Sequence, residues 1–259
     1  MAQDTLTLPA PTAVAAADDS LGFDRELALQ LARMPLYALL WVGAALIGHL
    51  VWAALAPESV NYAPLIVICV GMVLAAVVDG WAYKVPNWVT MPLILSGWGL
   101  GLLHSSGVAV DAGSGGFASA LICTFLGFAL LFPMLAIGGV GVGDVKMQMG
   151  FGAWVGAYFG IDGSSGLYGL GVVFWSFCIG AIVGGAFSMV MILIRRQFKQ
   201  NATMVGEILV DLQLFLSGNA AQGSKRAQDR RDRWVKLPYG IPLCVGFLLF
   251  LWYALILNA

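Results

Sequence analysis

The chain is 259 residues long, 60% hydrophobic and only 10% charged, with a mean hydropathy of +0.87. Soluble domains carry roughly 25% charged residues, so the composition excludes an ordinary soluble fold and points to an all-α integral membrane protein. A formal net charge of −1 argues against a basic surface for nucleic acid, which needs clustered Lys and Arg.

Taken in chain order, residues 1–24 are rich in Ala, Pro, Thr and Asp and read as a disordered tail. They lack the basic and apolar regions of a cleaved signal peptide. From Ser20 to Met34, leucines alternate with Asp24, Arg25, Glu26 and Arg33; this stretch reads equally as an interfacial helix or as an extension of the first span. Crossing about 30 Å of hydrocarbon takes about 20 helical residues. Runs of that kind lie at about 36–56, 63–79, 89–104, 117–138, 146–161, 168–194 and 238–256, so residues 25–259 form one polytopic domain of about seven transmembrane helices.

The third and fifth runs are short and carry Gly97, Gly99 and Gly101, and Gly150, Gly152, Gly156 and Gly160. Small residues let helix backbones approach in lipid, so these helices are expected to be tilted, tightly packed or re-entrant. Between the last two spans lies a long loop, 195–237. Its residues Ile208, Leu209, Leu212, Leu214, Phe215 and Leu216 make an amphipathic stripe, followed by a basic run from Lys225 to Arg233. The expected partner is anionic lipid, at about 1 kcal/mol per base near the surface; a protein of pilus assembly is the alternative.

The basic residues test the span count. With the N-terminus cytoplasmic, Arg25, Arg33, Lys84, Lys146 and the nine bases from Arg195 to Lys236 share one side, which accounts for all 13 Lys and Arg. The opposite segments, 57–62, 105–116 and 162–167, contain none. Cytoplasmic loops carry the excess of Lys and Arg, so the expected topology puts the N-terminus inside, the C-terminus outside, and Asp79 and Asp144 both at cytoplasmic ends. Had the count been off by one span between them, the two acids would lie on opposite faces.

Cys69, Cys123, Cys178 and Cys244 are widely spaced and offer no Cys-x-x-Cys pair for zinc or redox work; they read as small apolar residues. His49 and His104 fall at outer helix ends with no neighbouring ligand-type residue, so a packed or interfacial role is expected. No metal and no cofactor is implied. No Ser-His-Asp or Cys-His nucleophile is visible, because both histidines lie across the membrane from the acids.

The acids remain. Asp79 ends one apolar run, and Gly141-Val142-Gly143-Asp144-Val145-Lys146 sets a second acid among glycines before another. Ionisable groups at membrane margins are costly and mark functional sites. Two carboxylates held together share a proton, one activating water while the other donates to a carbonyl oxygen. Gly138, Gly139, Gly141 and Gly143 are expected to allow irregular backbone and room for an extended chain, which is tolerated near the membrane only under protein cover or beside water. The plain structural alternative has Asp79 capping a helix end and Asp144 pairing with Lys146, although residues two apart do not face each other on a helix. Lys146 is read with equal weight as a partner of Asp144 and as a cytoplasmic anchor.

Three motifs together resemble the type IV prepilin peptidases, a family of membrane aspartic proteases. The segment 141–146 is similar to their Gly-x-Gly-Asp-x-Lys signature. Asp79 followed by Lys84-Val85-Pro86-Asn87 resembles the first acid, basic loop and Pro-Asn turn. Leu237-Pro238-Tyr239-Gly240 resembles the Pro-Tyr segment that opens the last helix. The resemblance covers roughly 63–256 and implies Asp79 and Asp144 as catalytic residues, with Gly141, Gly143, Lys146, Pro86, Asn87, Pro238 and Tyr239 in support. It implies a multi-pass protein of the inner membrane whose cytoplasmic site removes the leader of a prepilin or pseudopilin. Many members also carry a cytoplasmic zinc-binding segment with paired Cys-x-x-Cys and methylate the new N-terminus. Its absence here leads to an expectation of peptidase activity alone, as in the shorter forms associated with tight-adherence pili. Oligomeric state is not implied.

Two other readings share parts of this pattern. Presenilin-type and signal-peptide-peptidase-type proteases share Gly-x-Gly-Asp, but they place Tyr before the first acid, where this chain has Val78, and carry a Pro-Ala-Leu motif that is absent. A proton-coupled transporter would use the acids as a relay, but its site would lie at the midplane between repeats.

Overall fold

In the computed structural model, residues 25–83, 85–108, 115–136, 139–161, 169–195, 210 and 238–257 are described. The expected tail 1–24, Lys84, Gly138 and, apart from helical Val210, the loop 196–237 with its amphipathic stripe lie outside the described residues. Among the described residues the secondary structure is entirely helical. It comprises α1 (Arg25–Leu55), α2 (Ala63–Ala82), α3 (Asn87–Ser105), α4 (Phe117–Ala136), α5 (Val142–Phe159), α6 (Gly169–Arg195) and α7 (Gly240–Leu257). Each expected run is a helix. The segment before the first span is no separate interfacial element, because α1 runs unbroken from Arg25 through Pro35.

Four helices are long and apolar enough to cross a membrane: Ala28–Leu55, Ala63–Ala82, Phe117–Ala136 and Gly169–Val190; Gly240–Ile256 is apolar and shorter. Leu36, Leu39, Leu40, Ile47 and Leu50 leave one flank of α1 apolar and exposed, as a lipid-facing surface requires. The protein is a multi-pass membrane protein. α5 falls below the hydropathy of a lipid-facing span for a structural reason. It packs on α2, α3, α4, α6 and α7, and all its residues except Val142, Gly143, Lys146 and Met149 are buried. A helix wrapped by protein does not need an apolar outer face.

Glycine is what lets α5 sit there. A Cβ at Gly97 of α3 would lie 2.6 Å from Ala153 Cβ, and one at Gly127 of α4 would lie 2.6 Å from Gln148 O. Cβ atoms at Gly152 and Gly156 would strike the carbonyl oxygens of Cys123 and Ser119 in α4. Side-chain hydrogen bonds lock these approaches: Trp154 Nε1 donates to Leu93 O at 2.9 Å and to Ser96 Oγ at 3.0 Å. Tyr158 OH donates to Asn61 O at 2.7 Å. Gly160, at φ +71°, ends α5 in a conformation that favours glycine.

The same contacts show that the helices alternate in direction. Gly150 meets Leu93 and Gly97 meets Ala153, so α3 and α5 run in parallel, whereas Gly127 with Gln148 and Gly156 with Ser119 set α4 antiparallel to α5. Gly180 against Leu243 and Gly184 against Pro242 set α6 and α7 antiparallel. The end of α2 and the starts of α3, α5 and α7 therefore meet at one end of the bundle. His49, at the other end, is packed: Asn61 Nδ2 donates to its Nδ1 at 2.6 Å and to its carbonyl at 3.3 Å.

Gly152→Val, which drives two methyls toward the α4 backbone, is expected to lower stability by about 1–3 kcal/mol or to abolish folding. Gly185→Ala, with nothing within 4 Å of the new Cβ, is expected to be neutral or stabilising by up to about 1 kcal/mol. Thermal unfolding of both variants in detergent checks the contrast.

Candidate active site

Asp79 lies in the last turn of α2 and is 4% exposed; Asp144 lies in the first turn of α5 and is 6% exposed. Each carboxylate accepts from a backbone amide at a helix N-terminus. Gly240 N, the first amide of α7, donates to Asp79 Oδ2 at 2.8 Å. Gly141 N, at the N-cap of α5, donates to Asp144 Oδ2 at 2.9 Å. The first amides of a helix lack intrahelical partners and carry the positive end of its dipole, so at each acid a backbone amide offsets part of the cost of burying a negative charge.

The local chain explains these positions. Tyr83 closes α2 at φ +51°, in the left-handed region, and its amide donates to the Asp79 carbonyl at 2.8 Å. That conformation is uncommon for an aromatic residue. The chain then turns so that buried Val85 lies on α5: a Cβ at Gly143 would sit 3.0 Å from Val85 Cβ and 3.2 Å from Val85 N and O. Pro86 follows as the extended N-cap of α3 (φ −75°, ψ 149°), consistent with its fixed ring geometry. Asn87 opens α3, and its Oδ1 accepts from Lys146 Nζ at 2.8 Å.

Two sequence expectations need correction. Asp144 is not in an irregular segment ahead of a helix beginning at 146; α5 begins at Val142 and Asp144 is its third residue. Nor do the motif glycines supply unusual backbone angles here. Gly141 is extended at φ −80°, and Gly143 is helical; at Gly143 the absent Cβ makes room for Val85. The carboxylate of Asp144 does one half of a capping box, reaching back to the N-cap amide, and a glycine N-cap has no side chain to return the bond.

Tyr239 and Gly240 connect the two acids. Gly240 holds Asp79, and a Cβ on it would approach Asp79 Oδ2 to 2.8 Å. Tyr239 lies within the field of Asp144. Burial raises the Tyr239 phenol above its ordinary range, a Ser188 hydrogen bond pulls it back, and the charge of Asp144 raises it further. Pro238 shapes the entry to α7, its carbonyl accepting from Ile241 N at 3.3 Å. Nine residues singled out from the sequence thus gather at one end of the bundle. Gly240, Ser188 and Val85 carry contacts that the motif reading did not assign. For Gly240 a signal existed, since a glycine opening an apolar helix leaves its amide free for an acid.

Residues 66–185, which include both acids, match the model of the type IV leader peptidase family. This segment is similar to the type IV leader peptidase family. No curated protein and no solved structure matches the chain. The family is one of peptidases, and both acids fall within the matched stretch, whereas Tyr239 and Gly240 lie beyond it. Among the described residues no three His, Cys, Asp or Glu side chains form a group that could hold a metal, and Cys69, Cys123, Cys178 and Cys244 are free thiols.

The Lys146–Asn87 bond joins the start of α5 to the start of α3 across the Pro-Asn turn. Lys146→Met and Asn87→Ala, singly and together, are expected to show a coupling of about 1 kcal/mol in a double-mutant cycle of thermal stability.

Proposed function

We propose that this protein is a membrane aspartic endopeptidase that removes the leader peptide of type IV prepilins or pseudopilins at the cytoplasmic face of the inner membrane. The observation that carries the reading is the placement of Asp79 and Asp144. Both are buried, both lie at the same end of the bundle, and each is held by a helix N-terminal amide, Asp79 by Gly240 N and Asp144 by Gly141 N. The family match over residues 66–185 supports the peptidase part, and the one-sided distribution of Lys and Arg supports the cytoplasmic orientation.

In this mechanism Asp79 and Asp144 come together on the substrate and hold one proton between them, because two neighbouring carboxylates do not both ionise cheaply in apolar surroundings. The ionised member takes a proton from water, whose oxygen attacks the scissile carbonyl carbon. The protonated member gives its proton to the carbonyl oxygen, and the tetrahedral adduct collapses as the C–N bond breaks and the leaving nitrogen takes up a proton. The amides of Gly141 and Gly240 stabilise the negative charge on either acid as it moves between them. Lys146 has its own partner in Asn87 and acts on the site by fixing the start of α5 against α3. The 195–237 loop carries nine bases and is assigned to anionic lipid in this reading.

The activity test is co-expression with a candidate prepilin, read by mass spectrometry as a leader-sized loss. Asp79→Asn and Asp144→Asn are each expected to lower cleavage by about 10³-fold or more, and Gly240→Ala by about 10-fold or more through displacement of Asp79. Cleavage that survives both Asn variants contradicts the reading. Proton-driven uptake without peptide cleavage favours an acid relay instead.

A further inference from the structure

Three buried hydrogen-bonding side-chain atoms have no partner among the described residues: Thr90 Oγ1, Gln148 Nε2 and Ser176 Oγ. The two hydroxyls can rotate toward a carbonyl of their own helix. Gln148 has no such local remedy, since its carboxamide presents two N–H donors in a fixed plane and the residue is only 2% exposed. A donor in that state is unfavourable wherever an apolar side chain would fit, so its presence asks for an acceptor that arrives from outside.

Its position indicates which acceptor. Gln148 follows Asp144 by four residues in α5, one turn and about 6 Å along the axis, so the two side chains share a helix face. Phe151, next along that face, meets Phe247 of α7 with ring centroids 3.9 Å apart. α7 is also the helix whose first amide holds Asp79. Gln148 lies on the part of α5 between this contact with α7 and the Gly152 contact with α4. Gln148 lies deeper in the bundle than Asp144, because α5 runs inward from the acid end.

In the leader-peptidase reading, the chain that follows the scissile bond runs from the acids toward the apolar interior of the bundle, where Gln148 lies. The residues at the scissile bond are extended while they are cut, so the carbonyls beside it lack helical partners and need donors from the protein. We infer that Gln148 binds substrate, its Nε2–H donating to a main-chain carbonyl of the residues that follow the scissile bond. This rests on the leader-peptidase reading of the site. The bond forms on binding and persists into the transition state, so it acts on KM and leaves kcat nearly unchanged.

The test uses the full chain in detergent with an intact prepilin as substrate, comparing wild type, Gln148→Met and Gln148→Leu. Both variants are expected to raise KM about tenfold, to hold kcat within about twofold, and to melt at or above the wild-type temperature because an unpaired buried amide has been removed. A structural role for Gln148 would lower the melting temperature. An unchanged KM overturns the inference alone, and so does failure of both variants to fold, since an Nε2 donor without a partner does not hold the fold together. Wild-type protein that cuts no prepilin overturns the reading of the site and this inference with it.

Discussion

Two carboxylates buried at the end of an apolar bundle are the most demanding groups in this chain, and the arrangement around them answers that demand with helix N-termini. Asp144 uses the start of its own helix, and Asp79 uses the start of α7. A helix N-terminus offers unpaired amides and a partial positive charge at no conformational expense once the helix exists. The alternation of helix directions is what makes this possible. It brings one helix end and three helix starts to the same place, so a negative charge can be held there without a basic side chain being buried beside it.

The depth of the site is set elsewhere, by glycine. α5 carries Asp144 and is surrounded by five helices, and it can be so only where backbones approach without Cβ atoms between them, as at Gly97, Gly127, Gly152 and Gly156. The same device recurs within the site itself. Gly143 admits Val85 and Gly240 admits Asp79, so the loop after α2 and the start of α7 both close onto α5. Close packing leaves little freedom for repositioning, which is how small residues far from the acids contribute to their geometry.

Much of this was legible in the sequence because its strongest signals are coarse. Seven apolar runs became seven helices, and the one-sided distribution of Lys and Arg gave the parity that puts Asp79 and Asp144 at the same end. Local chemistry was harder to read. Gly141 and Gly143 break the apolar pattern and so suggest an irregular segment around Asp144, yet the helix starts at Val142, and the missing Cβ of helical Gly143 serves to admit Val85. Lys146 was undecided between Asp144 and the membrane surface; its bond to Asn87 crosses 59 positions, a distance no local pattern reveals. The bond from the Gly240 amide to Asp79 spans 161 positions, so the glycine that opens α7 marks a free donor without indicating its partner.

The central claim is that the end of α2 and the start of α5 form one site at one face of the membrane. A direct measurement is the spin-label distance in bilayers between Trp81→Cys and Val142→Cys, both exposed positions flanking the acids, with Cys69, Cys123, Cys178 and Cys244 replaced. The account predicts a distribution well inside the roughly 30 Å thickness of the hydrocarbon core. A distribution centred at or beyond that thickness would place the acids on opposite faces and contradict it.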